Sequence, residues 1–168
     1  GQLRPADLLQ WGRDYFNKDP KRHSSFLAMG EQRLLSALQT EQARMYSADH
    51  LEVLLDWARP DWIGNYEGDS LVWRDSTPEA TVDYLQALHV LLSGIDESGF
   101  EESSLSDTIL SWIKEKGWKN GDVLWPMRVA LTDRPQSPGP FEVAAALGKE
   151  TTVARIEQAT KSISDRIS

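Results

Sequence analysis

Residues 119–150 read KNGDVLWPMRVALTDRPQSPGPFEVAAALGKE, and this stretch carries the strongest helix and loop signals in the chain. Pro126 suits the first turn of a helix, which predicts a short apolar helix with Arg128 as its only charged side chain. A loop with three prolines and one glycine follows, and each proline restricts the backbone and removes an amide donor. Phe141 then begins another helix, which Gly148 ends. The stretch therefore predicts two helices joined by a stiff loop.

Two interpretations of Arg128 are compatible with this arrangement. In the first, a rigid loop beside a lone arginine, framed by Trp125 and Phe141, holds splayed single-stranded bases. Stacking on an aromatic ring is worth about 1–3 kcal/mol per base, and a bidentate arginine contact adds discrimination of similar size. In the second, Arg128 satisfies carbonyl groups at a helix end and the prolines only stiffen a crossover. Spacing alone favours the second interpretation.

The first third of the chain has the apolar spacing of helices. A helix is expected to begin at Pro5 and to end before Pro20, because the residue preceding a proline is pushed out of the helical region. Further helices are expected over residues 24–39 and 47–58. No segment of the chain alternates apolar and polar residues long enough to predict a strand.

The C-terminal half has the clearest helix boundaries. Thr77 is a suitable N-cap before a proline, which suits the first helical position. Ser104 is expected to cap a second helix, and Gly117 is well placed just after its end. A last helix is expected over residues 150–163. The fold class is therefore predicted to be all-α.

Residues 59–76 differ from their surroundings, because turn residues are mixed there with large aromatic side chains. This mixture predicts an ordered connection that packs on its neighbours and not a flexible linker. We therefore expect two helical subdomains, residues 1–62 and 77–168, joined by residues 63–76.

Charge is unevenly distributed along the 168 residues. The formal net charge of −8 argues against a general binder of polyanions. Eight carboxylates and no lysine or arginine lie between Asp75 and Asp107, and this acidic belt would repel a phosphate backbone. Residues 121–168 are balanced, with six basic and six acidic side chains. Any contact with nucleic acid is therefore expected in the C-terminal third.

The sequence predicts no catalytic centre. Cysteine is absent, which excludes thiol nucleophiles and cysteine-ligated zinc, and His23, His50 and His89 lack metal-ligand spacing. The chain has no Gly-rich phosphate loop, Gly-x-Ser-x-Gly elbow or His-x-x-x-His pair. Asp49 beside His50 is interpreted as a solvated pair at a helix start. No apolar run approaches the roughly 20 residues of a membrane span, so a soluble, cytoplasmic protein is expected.

These residues together resemble the C-terminal anticodon-binding domain of bacterial glutamyl-tRNA synthetases, which are class I aminoacyl-tRNA synthetases. The segments that carry the resemblance, in order and spacing, are residues 121–132, 137–143, 147–150 and 155–157. The resemblance is specific over about residues 104–162 and collinear from about residue 24. It covers most of the chain.

The resemblance implies a two-subdomain α-helical cage that unstacks and reads a tRNA anticodon. The residues implied to contact the anticodon bases are Trp125, Pro126 and Arg128, followed by Ser137, Pro138, Gly139, Pro140 and Phe141. Arg128 is implied to be the main hydrogen-bonding side chain. Arg44 is implied to help read the third anticodon base; the alternative is that Arg44 is only an exposed charge on a helix.

At one position the sequence departs from the family pattern. The family usually has glycine after the Leu-Thr pair, and this chain has Asp133. Because aspartate tolerates a left-handed backbone better than most residues, the turn is expected to survive. The carboxylate is also expected to place a negative charge near the implied RNA surface, where Arg134 compensates it.

Signature sequences of the family's catalytic domain do not occur in these 168 residues. The resemblance therefore implies the non-catalytic part of a glutamate–tRNA ligase, an enzyme of translation that attaches glutamate to tRNA(Glu) with ATP. The implied partners are the anticodon stem-loop of tRNA(Glu) and the enzyme's own catalytic domain, which would hold ATP and Mg²⁺. This chain itself is expected to need no cofactor and to be a monomer.

A second hypothesis comes from a different class of protein. The seven tryptophans are also consistent with a freestanding helical interaction module that binds a protein through exposed indole rings and does not bind RNA. A catalytic domain of a class I synthetase encoded in frame upstream would support the first hypothesis, and an independent start codon would support the second.

Overall fold

The computed structural model describes residues 3–45 and 51–168, and every regular element in these ranges is a helix. The predicted all-α fold class is confirmed. The chain divides into two compact units, with the boundary between Ile63 and Gly64, so that residues 64–76 belong to the second unit. Within the described ranges, no helix combines the length and the apolar character needed to cross a membrane.

The first unit is built from short helices. They are α1 (Pro5–Asn17), α2 (Ser24–Leu27), α3 (Glu31–Glu41) and α4 (Leu51–Leu54), with 3₁₀ turns at Gln42–Arg44 and Asp56–Ala58. The prediction of a single helix over residues 24–39 was wrong. Gly30 has extended backbone angles, φ −62° and ψ 153°, and is the N-cap of α3, so the segment forms two helices. Of the helix expected over residues 47–58, residues 47–50 lie outside the described residues, and the rest forms α4 and the 3₁₀ turn that follows it.

The core of the first unit forms where α1 meets α2 and α3. The rings of Phe16 and Phe26 are stacked, with centroids 4.5 Å apart. Gly12 lets the side chain of Leu38 come very close to α1, because a Cβ at this glycine would lie 2.8 Å from Leu38 Cδ1. The first contact joins α1 to α2, and the second joins α1 to α3, the two longer helices of the unit, which pack directly on each other.

The second unit contains the longer helices. They are α5 (Pro78–Ser93), α6 (Glu102–Lys116), α7 (Asn120–Thr132), α8 (Pro140–Leu147) and α9 (Lys149–Ile167), with a 3₁₀ turn at Glu97–Gly99. Helix α5 packs along α9, and α7 contacts α5, α6, α8 and α9. The fully buried side chains of this core include Leu85, Leu88, Ile109, Met127 and Ile156. Helix α7 is therefore the central helix of the unit.

Most of the predicted boundaries in the second unit are confirmed. Thr77 Oγ1 accepts a hydrogen bond from the Ala80 amide at 3.1 Å, which caps α5. Gly117 has φ 70° and ends α6, and Gly148 ends α8. The start of α6 was predicted too late, because Ser104 lies inside the helix, which begins at Glu102. Glu101 is the N-cap and provides no side-chain hydrogen bond, so the sequence gives no capping signal there.

Pro126 does not begin a helix, contrary to the prediction, but lies inside α7. A proline inside a helix removes one backbone hydrogen bond and costs about 3 kcal/mol. The turn that precedes Pro126 is held by tertiary contacts. Val123 is fully buried, Gly121 packs against the ring of Trp73, and the indole of Trp125 donates to the Ser70 carbonyl at 3.0 Å. Packing therefore outweighs the local preference of proline for a helix start.

Candidate functional site

Arg128 is bound to the loop that joins α7 to α8, residues 133–139, which we call the proline loop. Its Nη1 donates to the Ser137 carbonyl at 2.8 Å, to Ser137 Oγ at 3.1 Å and to the Pro138 carbonyl at 3.1 Å. Ser137 Oγ in turn donates to the Pro138 carbonyl at 2.9 Å. The guanidinium satisfies carbonyl groups, as the second interpretation expected, but these belong to the loop and not to a helix end. Arg128 therefore fixes the shape of the proline loop.

The predicted site residues differ in how much surface they present. Trp125, Arg128, Ser137, Gly139 and Phe141 are half-buried, so part of each reaches the surface. The prolines among them, at positions 126, 138 and 140, are buried. These three prolines shape the site from inside, and the half-buried residues are the ones available for contact with a ligand.

Asp133 closes the C-terminal end of α7 in the left-handed conformation, with φ 54° and ψ 32°. The turn expected from the sequence is therefore present. The carboxylate has a role that the sequence analysis did not anticipate, because Oδ2 accepts hydrogen bonds from the amides of Asn65 at 2.9 Å and Tyr66 at 3.4 Å. A glycine at this position would adopt the same backbone but would provide no acceptor. The charge of Asp133 is thus engaged within the fold.

Two further side chains hold the end of α7 and were missed from sequence. The hydroxyl of Tyr66, which is buried, donates to the Ala130 carbonyl at 2.6 Å, and burial raises the pKa of Tyr66 well above the usual range. Arg155, which is only 5% exposed, donates from Nη1 to the Leu131 carbonyl at 2.7 Å. Arg155 lies next to Ile156 in the apolar stripe of α9, and this position could have indicated that it is buried. A buried arginine requires hydrogen-bond acceptors, so a partner carbonyl could then have been expected.

Arg44 belongs to the first unit, in the 3₁₀ turn that follows α3. Its guanidinium is about half exposed and lies 3.7 Å from Oε2 of Glu41, a distance typical of a weak ion pair. Glu41 is fully buried, and its Oε1 accepts a hydrogen bond from the Trp57 indole at 2.9 Å. Arg44 is therefore the exposed member of a polar group anchored in the core of the first unit.

The tryptophans do not form an exposed surface. Trp57 and Trp62 are buried, and the other five indoles are half-buried at positions 11, 73, 112, 118 and 125. This burial does not support the hypothesis of an interaction module with exposed indole rings.

The acidic belt lies on the surface. All eight carboxylates of the acidic belt are exposed. Among the described residues, no cluster of histidine, aspartate and glutamate side chains could hold a metal ion. Asp49 and His50 lie outside the described residues.

Comparison with known proteins extends the resemblance noted from sequence. The chain is 33% identical over 84 residues to a glutamate–tRNA ligase of Clostridium botulinum, which is 49% of this chain and 17% of that protein. It is 29% identical over 162 residues to the glutamate–tRNA ligase of Herpetosiphon aurantiacus, which is 96% of this chain and 32% of that protein. The chain thus spans about a third or less of the length of these relatives.

A solved structure supports the fold over nearly the whole chain. A glutamate tRNA ligase from Elizabethkingia meningosepticum, crystallised in complex with its amino acid, superposes with a TM-score of 0.75 and 16% sequence identity. The match covers 96% of this chain and 30% of that one. The family model described as an anticodon binding domain matches residues 31–160, which include Arg44, Arg128 and the proline loop. Because this match covers most of the sequence, the chain belongs to the anticodon binding domain family.

Proposed function

We propose that this chain recognises the anticodon of tRNA(Glu) as the non-catalytic C-terminal part of a glutamate–tRNA ligase. The observation that carries the proposal is the match of the anticodon binding domain family over residues 31–160. The similarity to glutamate–tRNA ligases supports glutamate as the amino acid.

The geometry of the second unit supports a role in binding unpaired bases. Pro135 and Pro138 stiffen the proline loop, and Arg128 holds it in one conformation through three hydrogen bonds. Trp125 and Phe141 are half-buried, so each ring is fixed by the core and keeps an exposed part. Aromatic residues that flank a rigid loop in the sequence suit the recognition of splayed bases, which stack on such rings. In this proposal Arg128 positions the loop, and the other half-buried residues of the site provide the contact surface.

The proposal also includes the partners and cofactors that family membership implies. The ligase's catalytic domain would hold ATP and Mg²⁺ and would carry out the chemistry, and this chain would need no cofactor of its own. The protein would act in the cytoplasm, as a monomer, during translation. Base recognition in this part would then help to select the matching tRNA for the distant catalytic centre.

The test is a titration of the chain with labelled anticodon stem-loops at low salt. We expect the glutamate anticodon to bind more tightly than an unrelated anticodon in the same stem. In the variant Arg128→Gln the loop loses the hydrogen bonds that fix its conformation. Its affinity for the glutamate anticodon should therefore fall about tenfold, and the two affinities should come together.

A matched control distinguishes the loss of loop positioning from the loss of one positive charge. Lys161→Gln removes one positive charge from an exposed position of α9. Since its effect on RNA is limited to weak electrostatics, it should lower both affinities slightly and leave their ratio unchanged. Equal binding of the two anticodons by the unmodified chain would contradict the proposed function.

A further inference from the structure

A cavity of about 350 Å³ lies at the N-terminal end of α7, the opposite end of this helix from the proline loop. Trp73, Arg74, Tyr84, Lys119 and Asp122 contribute to its walls. None of these residues belongs to the predicted anticodon site. The cavity therefore needs its own explanation.

The aromatic wall of the cavity is rigid. Trp73 packs so closely on α7 that a Cβ at Gly121 would lie 2.3 Å from Trp73 Cζ2. Tyr84 meets the ring of Trp118 edge to face, with centroids 4.9 Å apart and an interplanar angle of 73°. Because both aromatic side chains are held by neighbours, the cavity has a defined shape without a ligand.

Two positively charged groups border the cavity. Neither Arg74 nor Lys119 forms an ion pair with a carboxylate of the described chain, and both are exposed. The guanidinium carbon of Arg74 lies 4.8 Å from the centroid of the Trp73 ring. Arg74 has φ 40°, which is unfavourable for a residue with a Cβ by roughly 1–2 kcal/mol. The fold thus holds this cation at the cavity against a backbone preference.

Two carboxylates border the same cavity, from Asp75 and Asp122. The Tyr84 hydroxyl donates to Asp122 Oδ2 at the long distance of 3.5 Å. A simple anion would be repelled by these carboxylates, and a simple cation would be repelled by Arg74 and Lys119. The lining instead matches a molecule that presents an anion on one part and N–H donors on another.

We propose that this cavity binds a nucleotide, with its phosphate on Arg74 and Lys119 and an exocyclic amino group of its base donating to a carboxylate of the cavity. Carboxylate side chains accept such a hydrogen bond from the N4 amino group of cytosine. The volume is near the lower limit of about 300–1,000 Å³ for ligand pockets, which suits a single nucleotide. The nucleotide is either free or one unit of an RNA strand, and the chemistry of recognition is the same.

Titration of the full chain with three small probes tests the proposal. Backbone amide signals of Lys119, Ser76 and Ala80 are followed by NMR as cytidine 5′-monophosphate, uridine 5′-monophosphate or inorganic phosphate is added. We expect the cytidine nucleotide to bind most tightly, because uracil lacks the N4 amino donor and phosphate lacks a base. Equal shifts from phosphate and the cytidine nucleotide would overturn the proposal, as would the absence of any shift.

Variants assign the response to the cavity. The double variant Arg74→Gln with Lys119→Gln should weaken binding of the cytidine nucleotide at least about tenfold, since two charge-assisted hydrogen bonds are lost. Both side chains are exposed, so the fold should be retained. Lys116→Gln is the matched control, because Lys116 is exposed on the preceding helix, 5.9 Å from the Trp118 ring, and does not line the cavity. Unchanged binding by the double variant would overturn the site assignment.

Titration with an oligocytidine strand distinguishes a site for a free nucleotide from a site for one unit of an RNA strand. Tighter binding of the strand than of the mononucleotide, lost in the double variant, supports the cavity as a contact for RNA. Weaker binding of the strand supports a site for a free nucleotide. The mononucleotide experiment is independent of anticodon recognition, so a failure of the proposed function and a failure of this site give separate results.

Discussion

The two ends of helix α7 differ in whether the polar groups around them have partners within the chain. At its C-terminal end, successive carbonyls are satisfied from within the second unit: Val129 by the Asp133 amide, Ala130 by Tyr66 and Leu131 by Arg155. At its N-terminal end, Arg74 and Lys119 form no ion pair with a carboxylate of the described chain.

The difference shows how one helix serves two purposes. The C-terminal end of α7 holds the turn at which the proline loop begins, so the geometry of the loop is fixed when the chain folds. At the N-terminal end, hydrogen-bonding groups remain available beside a cavity of fixed shape. Substitutions of the hydrogen-bonding groups at the first end should therefore act on stability, and substitutions of the exposed charges at the second end should act on ligand binding.

The largest effect is expected at Arg155. In Arg155→Leu the buried Leu131 carbonyl loses its donor, so the free energy of unfolding should fall by about 2–4 kcal/mol. Urea denaturation followed by circular dichroism measures the change. Lys161→Leu, at an exposed position of the same helix, should change stability by less than about 0.5 kcal/mol. A loss below 1 kcal/mol for Arg155→Leu would contradict the role assigned to this contact.

Gly121 tests the opposite end of α7. An alanine in a helix interior is normally more stable than glycine by about 1 kcal/mol. In Gly121→Ala, however, the new methyl group would lie 2.3 Å from the Trp73 ring, so a net loss of about 1–3 kcal/mol is expected from overpacking. The cytidine nucleotide should also bind more weakly, because Trp73 must move. Gly94→Ala, where the nearest atom is the Leu91 carbonyl oxygen at 3.5 Å, is the control and should be nearly neutral.

The stability that Tyr66 contributes at the C-terminal end of α7 depends on pH. Tyr66→Phe removes the hydrogen bond to the Ala130 carbonyl and should cost about 1–2 kcal/mol at neutral pH. Burial raises the pKa of Tyr66 above the ordinary value of 10.0, so the folded chain holds this proton more tightly than the unfolded chain. The stability due to this tyrosine is therefore complete below pH 10 and is lost as pH rises further. As pH rises above 10, urea denaturation should show a smaller decrease in the free energy of unfolding for Tyr66→Phe than for the unmodified chain. An identical decrease would contradict the role assigned to Tyr66.

The smallest effect is expected at Asp133. Asp133→Gly keeps the left-handed backbone without strain but loses the acceptor for the Asn65 and Tyr66 amides, so the change in stability should be only about 0.5 kcal/mol. Hydrogen exchange of these two amides should nevertheless become faster. Asp133→Asn keeps a side-chain acceptor and should preserve slow exchange. Fast exchange in both variants would show that the carboxylate charge, and not hydrogen bonding, protects the amides.

The parts of the fold that could be predicted are those with local causes. Thr77, Gly117 and Gly148 act through their own backbone or side chain within a few residues, so their sequence context was sufficient. Pro126 was assigned to a helix start because local preference ignores the distant contacts of Gly121 and Trp125. Tertiary packing decides such positions, and a sequence pattern does not contain it.

The family resemblance pointed to Arg128 and the proline loop as a binding site, and this role stays a prediction. The spacing alone favoured an Arg128 that satisfies carbonyl groups. The hydrogen bonds within the site could not be predicted. The three hydrogen bonds from Arg128 to residues 137 and 138 depend on how the loop folds back over α7. The contributions of Tyr66 and Arg155 come from sequence positions 64 and 24 residues away from their acceptors, which no local pattern relates.

The attachment of Arg128 to the proline loop also has a kinetic and calorimetric consequence. Since the chain itself supplies the contacts that order these residues, a binding partner meets a preorganised surface, and little conformational entropy is lost on association. Titration calorimetry should then give a small heat-capacity change, without the large signature of coupled folding. Weakening this internal tether would convert a rigid-body encounter into one that must order a segment as it binds.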